Sequence, residues 1–185
     1  MDPQANSLRR ALLFGGAVAA MLPVAERTRA ANPPAAAPAH AAPRAELAYE
    51  ALVTLTAEIP HGRTPYGERI RVPITGGWFR GPAIAGRILP GGTDWQLLRA
   101  DGYFALDADY FMTADDGTPI HVRNRGLWHS PNNDWPADYA VTTPEYEAPI
   151  GRHDWLNKHV FVCAVGPGPD SSPAVRLHVY RMLFD

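Results

Sequence analysis

The chain of 185 residues has a single cysteine, Cys163, so no disulfide can form within it. Cys163 sits in the apolar run VFVCAV and reads as a buried structural thiol, not a nucleophile. Helical periodicity is almost missing, which leaves no crossover helices for a parallel sheet. There are seven histidines, but none forms His-x-His on a strand or His-Glu-x-x-His on a helix, and no metal site is expected. The glycine-rich pieces lack the Lys-Ser/Thr of a phosphate-binding loop and precede strands, which argues against nucleotides. Excess positive charge is lacking too: the formal charge is −2, so nucleic acid is not an expected partner. No cofactor is expected.

What is present divides at about residue 45. Arg9-Arg10 precedes the moderately apolar run Ala11–Leu22, the pattern of an export signal of the twin-arginine type. That run is too short and too rich in Gly and Ala for a membrane span, and Thr28-Arg29-Ala30 offers small residues at a cleavage site. Residues 1–30 are therefore expected to be removed in the bacterial periplasm, with no stable membrane insertion afterwards. Cleavage removes four arginines and two acids and takes the formal charge to about −4. Residues 31–45, ANPPAAAPAHAAPRA, read as an Ala/Pro linker without core-forming side chains. The expected domain spans 46–185, about 140 residues, enough for one core.

In that domain, apolar residues alternate with polar ones between recurrent turn signals. Leu47 to Ala57 reads as a first strand and Ile70 to Ile74 as a second. Gly76-Gly77 is expected to make a turn or bulge before a segment from Trp78 to Leu89, closed by Pro90-Gly91-Gly92. Strands follow near 93–99, 103–114 and 118–125. Short strands are expected at Tyr139–Val141 and Glu145–Glu147, and two strong ones at Lys158–Val165 and Val175–Phe184. About nine antiparallel strands without helices give an all-β barrel or sandwich.

Two hairpins fix which side chains face inward. Even positions from Phe104 to Met112 and from Ile120 to Gly126 are apolar or uncharged, while odd positions carry Asp107, Asp109, His121, Arg123 and Arg125. Both even faces point inward only if paired residue numbers sum to an even number. A two-residue loop at Asp116-Gly117 fails this test. The three-residue loop Asp115-Asp116-Gly117 satisfies it, with Gly117 in the left-handed region, and sets Asp109 opposite Arg123 and Asp107 opposite Arg125. By the same reasoning, the loop Ala100-Asp101-Gly102 pairs Leu98 with Phe104, Gln96 with Leu106 and Asp94 with Ala108. Asp94, Ala108 and Asn124 then lie side by side across three strands, with Tyr110 on the same face.

The segments GGWFRGPAIAG, LPGGTDW, RADGYFALDADY and DGTPIHVRNRG, in this order, resemble domain-of-unknown-function family 3237, also called uncharacterised protein family 0311. YEAPIGRHDWLNKHVFV is similar to a later block of that family. The resemblance runs from about Leu47 to the C-terminus. It implies a small calycin-like β-barrel and no particular activity.

Asp94 and Tyr110 are the candidate catalytic residues, with Asn124, Gln96, Ala108 and Trp95 as candidate substrate contacts. A carboxylate facing an apolar interior has its charged form disfavoured and becomes an acid or base near neutrality. Tyr110 and Asn124 suit holding a carbonyl or an oxyanion. The structural alternative has Asp94 accepting hydrogen bonds from the Gly91-Gly92 loop. Trp128, Trp135 and Trp155 are expected to pack as a lid over the barrel mouth or simply onto its wall. Three functions fit: an acid–base enzyme acting on a small apolar ring-containing molecule, a carrier barrel without turnover, and a structural domain that homodimerises. On the export reading, mass spectrometry of periplasmic material should find a mature chain starting near Ala31; an intact Arg9-Arg10 would contradict it.

Overall fold

The computed structural model describes residues 42–169 and 172–184. The proposed export signal, most of the linker and its junction with the signal lie outside these residues. Ten strands form one antiparallel sheet: β1 (Arg44–Leu55), β2 (Ile59–Thr64), β3 (Gly67–Arg80), β4 (Ala85–Ile88), β5 (Thr93–Leu98), β6 (Phe104–Ala114), β7 (Pro119–His129), β8 (Tyr139–Glu147), β9 (Phe161–Pro167) and β10 (Ala174–Leu183). A 3-10 turn spans Asp154–Lys158. β1 pairs with both β10 and β3, which closes the sheet into a barrel.

β4 and β5 share one position between β3 and β6. They run in the same direction as a single strand interrupted at residues 89–92. Counted this way, eight positions surround the barrel, and β2 extends outward from β3.

Several boundaries differ from the sequence reading. Of the turn or bulge expected at Gly76-Gly77, the bulge is what forms, and the chain does not reverse there. Both glycines have positive φ (137° and 141°), and the β1–β3 register shifts beside them, where Thr54 pairs with Gly76 and Leu55 with Ile74, so that Thr75 is the extra residue of a bulge inside β3. A Cβ on Gly77 would lie 2.0 Å from the Leu52 carbonyl oxygen, so only glycine lets β1 approach there. The reversal comes instead at residues 81–84, closed by the Gly81 amide on the Ile84 carbonyl (2.7 Å). The two short strands expected between 139 and 147 are one continuous strand, held on both sides by β7 and β9. β2 was not expected: its residues IPHGRT are exposed and carry Pro and Gly, so they show no buried face to alternate.

The even faces of β6 and β7 point inward, as the turn lengths require. β6 and β7 pair Asp109 with Arg123 and Asp107 with Arg125, and Gly117 has φ 86°. β5 and β6 pair Asp94 with Ala108 and Leu98 with Phe104, and Gly102 has φ 84°. The even side chains Tyr110, Met112, Ile120, Val122 and Asn124 are buried. The ion pairs run diagonally, however: Arg123 grips Asp107 through two hydrogen bonds (2.9 and 2.8 Å), Arg125 reaches Glu145 on β8 (2.7 Å), and His121 takes Asp109 (2.9 Å). Arg123 holds the Asp107 carboxyl below its ordinary range.

One end of the barrel is filled. Tyr49, Phe79, Met112, Ile120, Leu156 and Phe161 are almost fully buried there in one cluster. Leu156 projects from the 3-10 turn, which is anchored in two places. Asn157 pairs its side-chain amide with both the N–H and the C=O of Ala148 (2.8 Å each). The buried His153 bonds through Nε2 to Asp116 at the tip of the β6–β7 turn (2.9 Å). Bonds from Thr118 and from His153 push the Asp116 carboxyl down to about 2.

The turn at Gly117 has a quantitative consequence. A Cβ there meets nothing within 4 Å, so substitution costs only backbone strain. Gly117→Val should lower unfolding free energy by about 1–2 kcal/mol in denaturant titrations, through the left-handed penalty alone.

Candidate functional site

The other end of the barrel is open. A cavity of about 770 Å³ enters it, within the range of ligand sites. Its depths are lined by Val53, Val72, Ile74, Leu106, Ala108, Tyr110 and Leu177, among others. The rim is made by exposed residues at three connections: Thr56, Ala57 and Glu58 after β1; Asn133 and Asp134 after β7; and Pro167 at the end of β9 with Ser172 and Pro173 before β10.

Asp94, Gln96, Ala108, Tyr110 and Asn124 all line this cavity. The β5–β6 and β6–β7 registers place Asp94, Ala108 and Asn124 in a row across three strands. With strands about 4.8 Å apart, Asp94 and Asn124 start about 10 Å from each other, and only the Ala108 methyl stands between them. A larger side chain at 108 would occupy that gap.

Asp94 is fixed by two donors. Its Oδ1 accepts the Asp107 backbone N–H (3.0 Å) and its Oδ2 accepts Gln96 Nε2 (2.8 Å). The β5–β6 ladder pairs at residues 93–94 and 97–98 but not between them, where the carboxyl group takes the Asp107 amide. Asp94 thus does accept a backbone bond, but across the ladder and not from the Gly91-Gly92 loop. Desolvation raises its pKa, and the nearby Asp107 charge adds to this, outweighing the two hydrogen bonds that favour the anion.

Tyr110 is 4% exposed, and burial together with Tyr49 and Cys163 keeps its phenol protonated far above the usual range. The Tyr49 and Tyr146 hydroxyls bond to each other nearby (2.6 Å). Asn124 is 5% exposed, and its Oδ1 has no hydrogen-bond partner within the protein. The same is true of Trp128 Nε1 at the end of β7. An unmet acceptor and an unmet donor in one cavity are costly without a ligand or solvent to satisfy them.

Trp95 is not part of this arrangement. As an odd residue of β5 it points outward, 42% exposed, with its ring 6.1 Å from that of His61. Its place beside Asp94 in sequence puts it on the opposite face, because side chains alternate along a strand. The three tryptophans also separate. Trp128 and Trp135 meet edge to face at 5.7 Å and line the cavity. Trp155 packs on Phe161 at the filled end, with Arg181 over its ring. Sequence reasoning missed Glu58, Asp134 and the β9–β10 rim, whose loop residues carry no periodic signal. Among the described residues, no group of three or more His, Cys, Asp or Glu side chains is arranged to hold a metal ion.

The model for the family described as Protein of unknown function (DUF3237) matches residues 43–182. The chain belongs to this family. A UPF0311 protein of Rhodopseudomonas palustris is 32% identical over 145 residues, covering 70% of this chain and 93% of that protein. Among solved structures, a protein of unknown function from Clostridium acetobutylicum superposes with a TM-score of 0.71 at 29% identity, covering 77% of this chain and 99% of its own. A beta-barrel-like protein from Acinetobacter baumannii gives 0.69 at 28% identity, covering 82% and 99%. The DUF3237 match therefore reaches every strand of the barrel, with both hairpins and the 3-10 turn included.

The direction of the Asp94 shift is measurable. Its carboxyl carbon, followed by NMR, should titrate above the ordinary range for Asp. A folded-state pKa above the unfolded value means Asp94 contributes most to stability at low pH, and that contribution is lost as pH rises through the folded pKa. Asp94→Asn, which keeps an acceptor for the Asp107 amide, should therefore melt no lower than wild type at pH 7.

Proposed function

We propose that this DUF3237 barrel is an exported, periplasmic enzyme performing acid–base chemistry on a small, mostly apolar ring-containing molecule. The reading rests on one observation above all: a desolvated carboxyl group, Asp94, lies beside the gap left by Ala108 in a cavity of about 770 Å³. Asp94 is the proton-transfer group. Its two hydrogen bonds aim the carboxyl group, and desolvation raises its pKa, the direction a general acid–base group requires. Tyr110 stays protonated and donates to a substrate oxygen. The unmet Asn124 Oδ1 accepts from a substrate donor, which fixes the ring over Ala108. The chemistry that fits is removal of a proton from one atom and its return to another, as in an isomerisation or elimination.

The test is hydrogen–deuterium exchange at the α-carbons of small cyclic ketones in D₂O, followed by NMR. Wild type should accelerate exchange for some of the panel, and Asp94→Asn should lose about 10²–10⁴-fold in rate while retaining most of the affinity. Ketones that bind with no exchange in wild type would favour a carrier barrel over an enzyme.

A further inference from the structure

The cavity lining has acidic residues and no basic ones. Of the described residues around it, Glu58, Asp94 and Asp134 are acids, and none is Lys, Arg or His. Arginine is not scarce in the neighbouring strands. Arg69 on β3 reaches the Trp95 carbonyl, and Arg123 and Arg125 on β7 pair with Asp107 and Glu145 on the outer surface. Because of the registers, all of these are odd residues directed away from the interior. An anionic ligand would enter a low-dielectric space with no partner and pass two carboxylates on the way.

The acids are not spread evenly. Glu58 and Asp134 are exposed residues of the rim, on opposite connections, whereas Asp94 lies inside. Asp134 accepts the Trp135 backbone amide (2.7 Å), which ties this carboxylate to the residue whose ring lines the cavity. Trp128 and Trp135 add two aromatic rings to the same lining, and the face of an indole attracts cations. Deeper in, Asn124 supplies an independent sign that the cavity takes a ligand. It is a polar side chain 95% buried, with an acceptor oxygen to which nothing in the protein donates.

We propose that the ligand of this cavity is an organic amine: a cationic nitrogen drawn to the rim by the combined field of Glu58 and Asp134 and by the indoles of Trp128 and Trp135, with an apolar ring inside carrying one donor for Asn124. This deepens the small-molecule reading of the cavity and depends on it. The amine supplies affinity and orientation from the rim, which leaves the ring end of the molecule at Asp94.

Three probes that share a skeleton and differ in charge test it: 2-naphthylmethylamine, 2-naphthalenemethanol and 2-naphthoate, titrated calorimetrically into the full chain at pH 7. The amine should bind tightest, about tenfold or more ahead of the naphthoate, and the gap should narrow in 0.5 M salt. In the double variant Glu58→Gln/Asp134→Asn, which changes only exposed side chains, the gap should close and the alcohol should bind as before. Equal binding of all three, tightest binding by the alcohol or the naphthoate, or a gap that the double variant leaves unchanged would overturn the amine assignment while leaving the cavity as a binding site. If none of the three binds, the small-molecule reading fails and this inference fails with it.

Discussion

The glycines at positive φ in the turns 100–102 and 115–117 set the pairing of β5, β6 and β7, and nearly everything functional follows from that pairing. Each turn adds three residues between strands, so paired numbers sum to an even value and every even side chain faces inward. A slip of one residue would bury Asp107, Asp109, Arg123 and Arg125 and expose Tyr110, Met112, Ile120 and Val122. The buried charges alone would make that register untenable. The outer ion pairs come afterwards. They are exposed and diagonal and need not match the backbone register, so the hydrophobic face and the turns carry the specificity.

Within this frame the barrel has two unlike ends. At one end, large side chains interdigitate around Leu156, and the 3-10 turn is fastened by Asn157 to Ala148 and by His153 to Asp116. At the other end, small or polar residues occupy the corresponding inward positions: Ala108, Asn124, Thr142, Gln96 and Asp94. The closed end supplies the stability that allows the open end to leave polar groups unmet, an arrangement usual where binding is the purpose. Asp94 links the two roles. It completes a break in the β5–β6 ladder and also presents a desolvated carboxyl group to the cavity.

The inward row of β5, β6 and β7 was legible from the sequence because alternation and turn geometry are local and leave one consistent solution. The same parity shows that Trp95 faces outward, since Asp94 and Gln96 on either side of it face inward. Gly76-Gly77 left turn and bulge both open because a double glycine signals either, and only the close approach of β1, a contact distant in sequence, decides between them. β2 escaped notice because an exposed outer strand has no buried face to mark it. The rim acids Glu58 and Asp134 were invisible for a related reason: loops that meet only in three dimensions leave no spacing signature. The continuous strand Tyr139–Glu147 contains Pro144, a residue that discourages reading a strand from sequence alone.

The account depends on the gap beside Ala108 being a binding site and not loosely filled core. The most direct measurement is calorimetric binding of 2-naphthalenemethanol to Ala108→Leu, with thermal melting measured on the same sample. A binding site accepts the extra carbons in its own empty space, so affinity should fall about tenfold or more with the melting temperature unchanged or raised. Affinity equal to wild type, or a loss of about 1–3 kcal/mol in stability as in an overpacked core, would contradict the account.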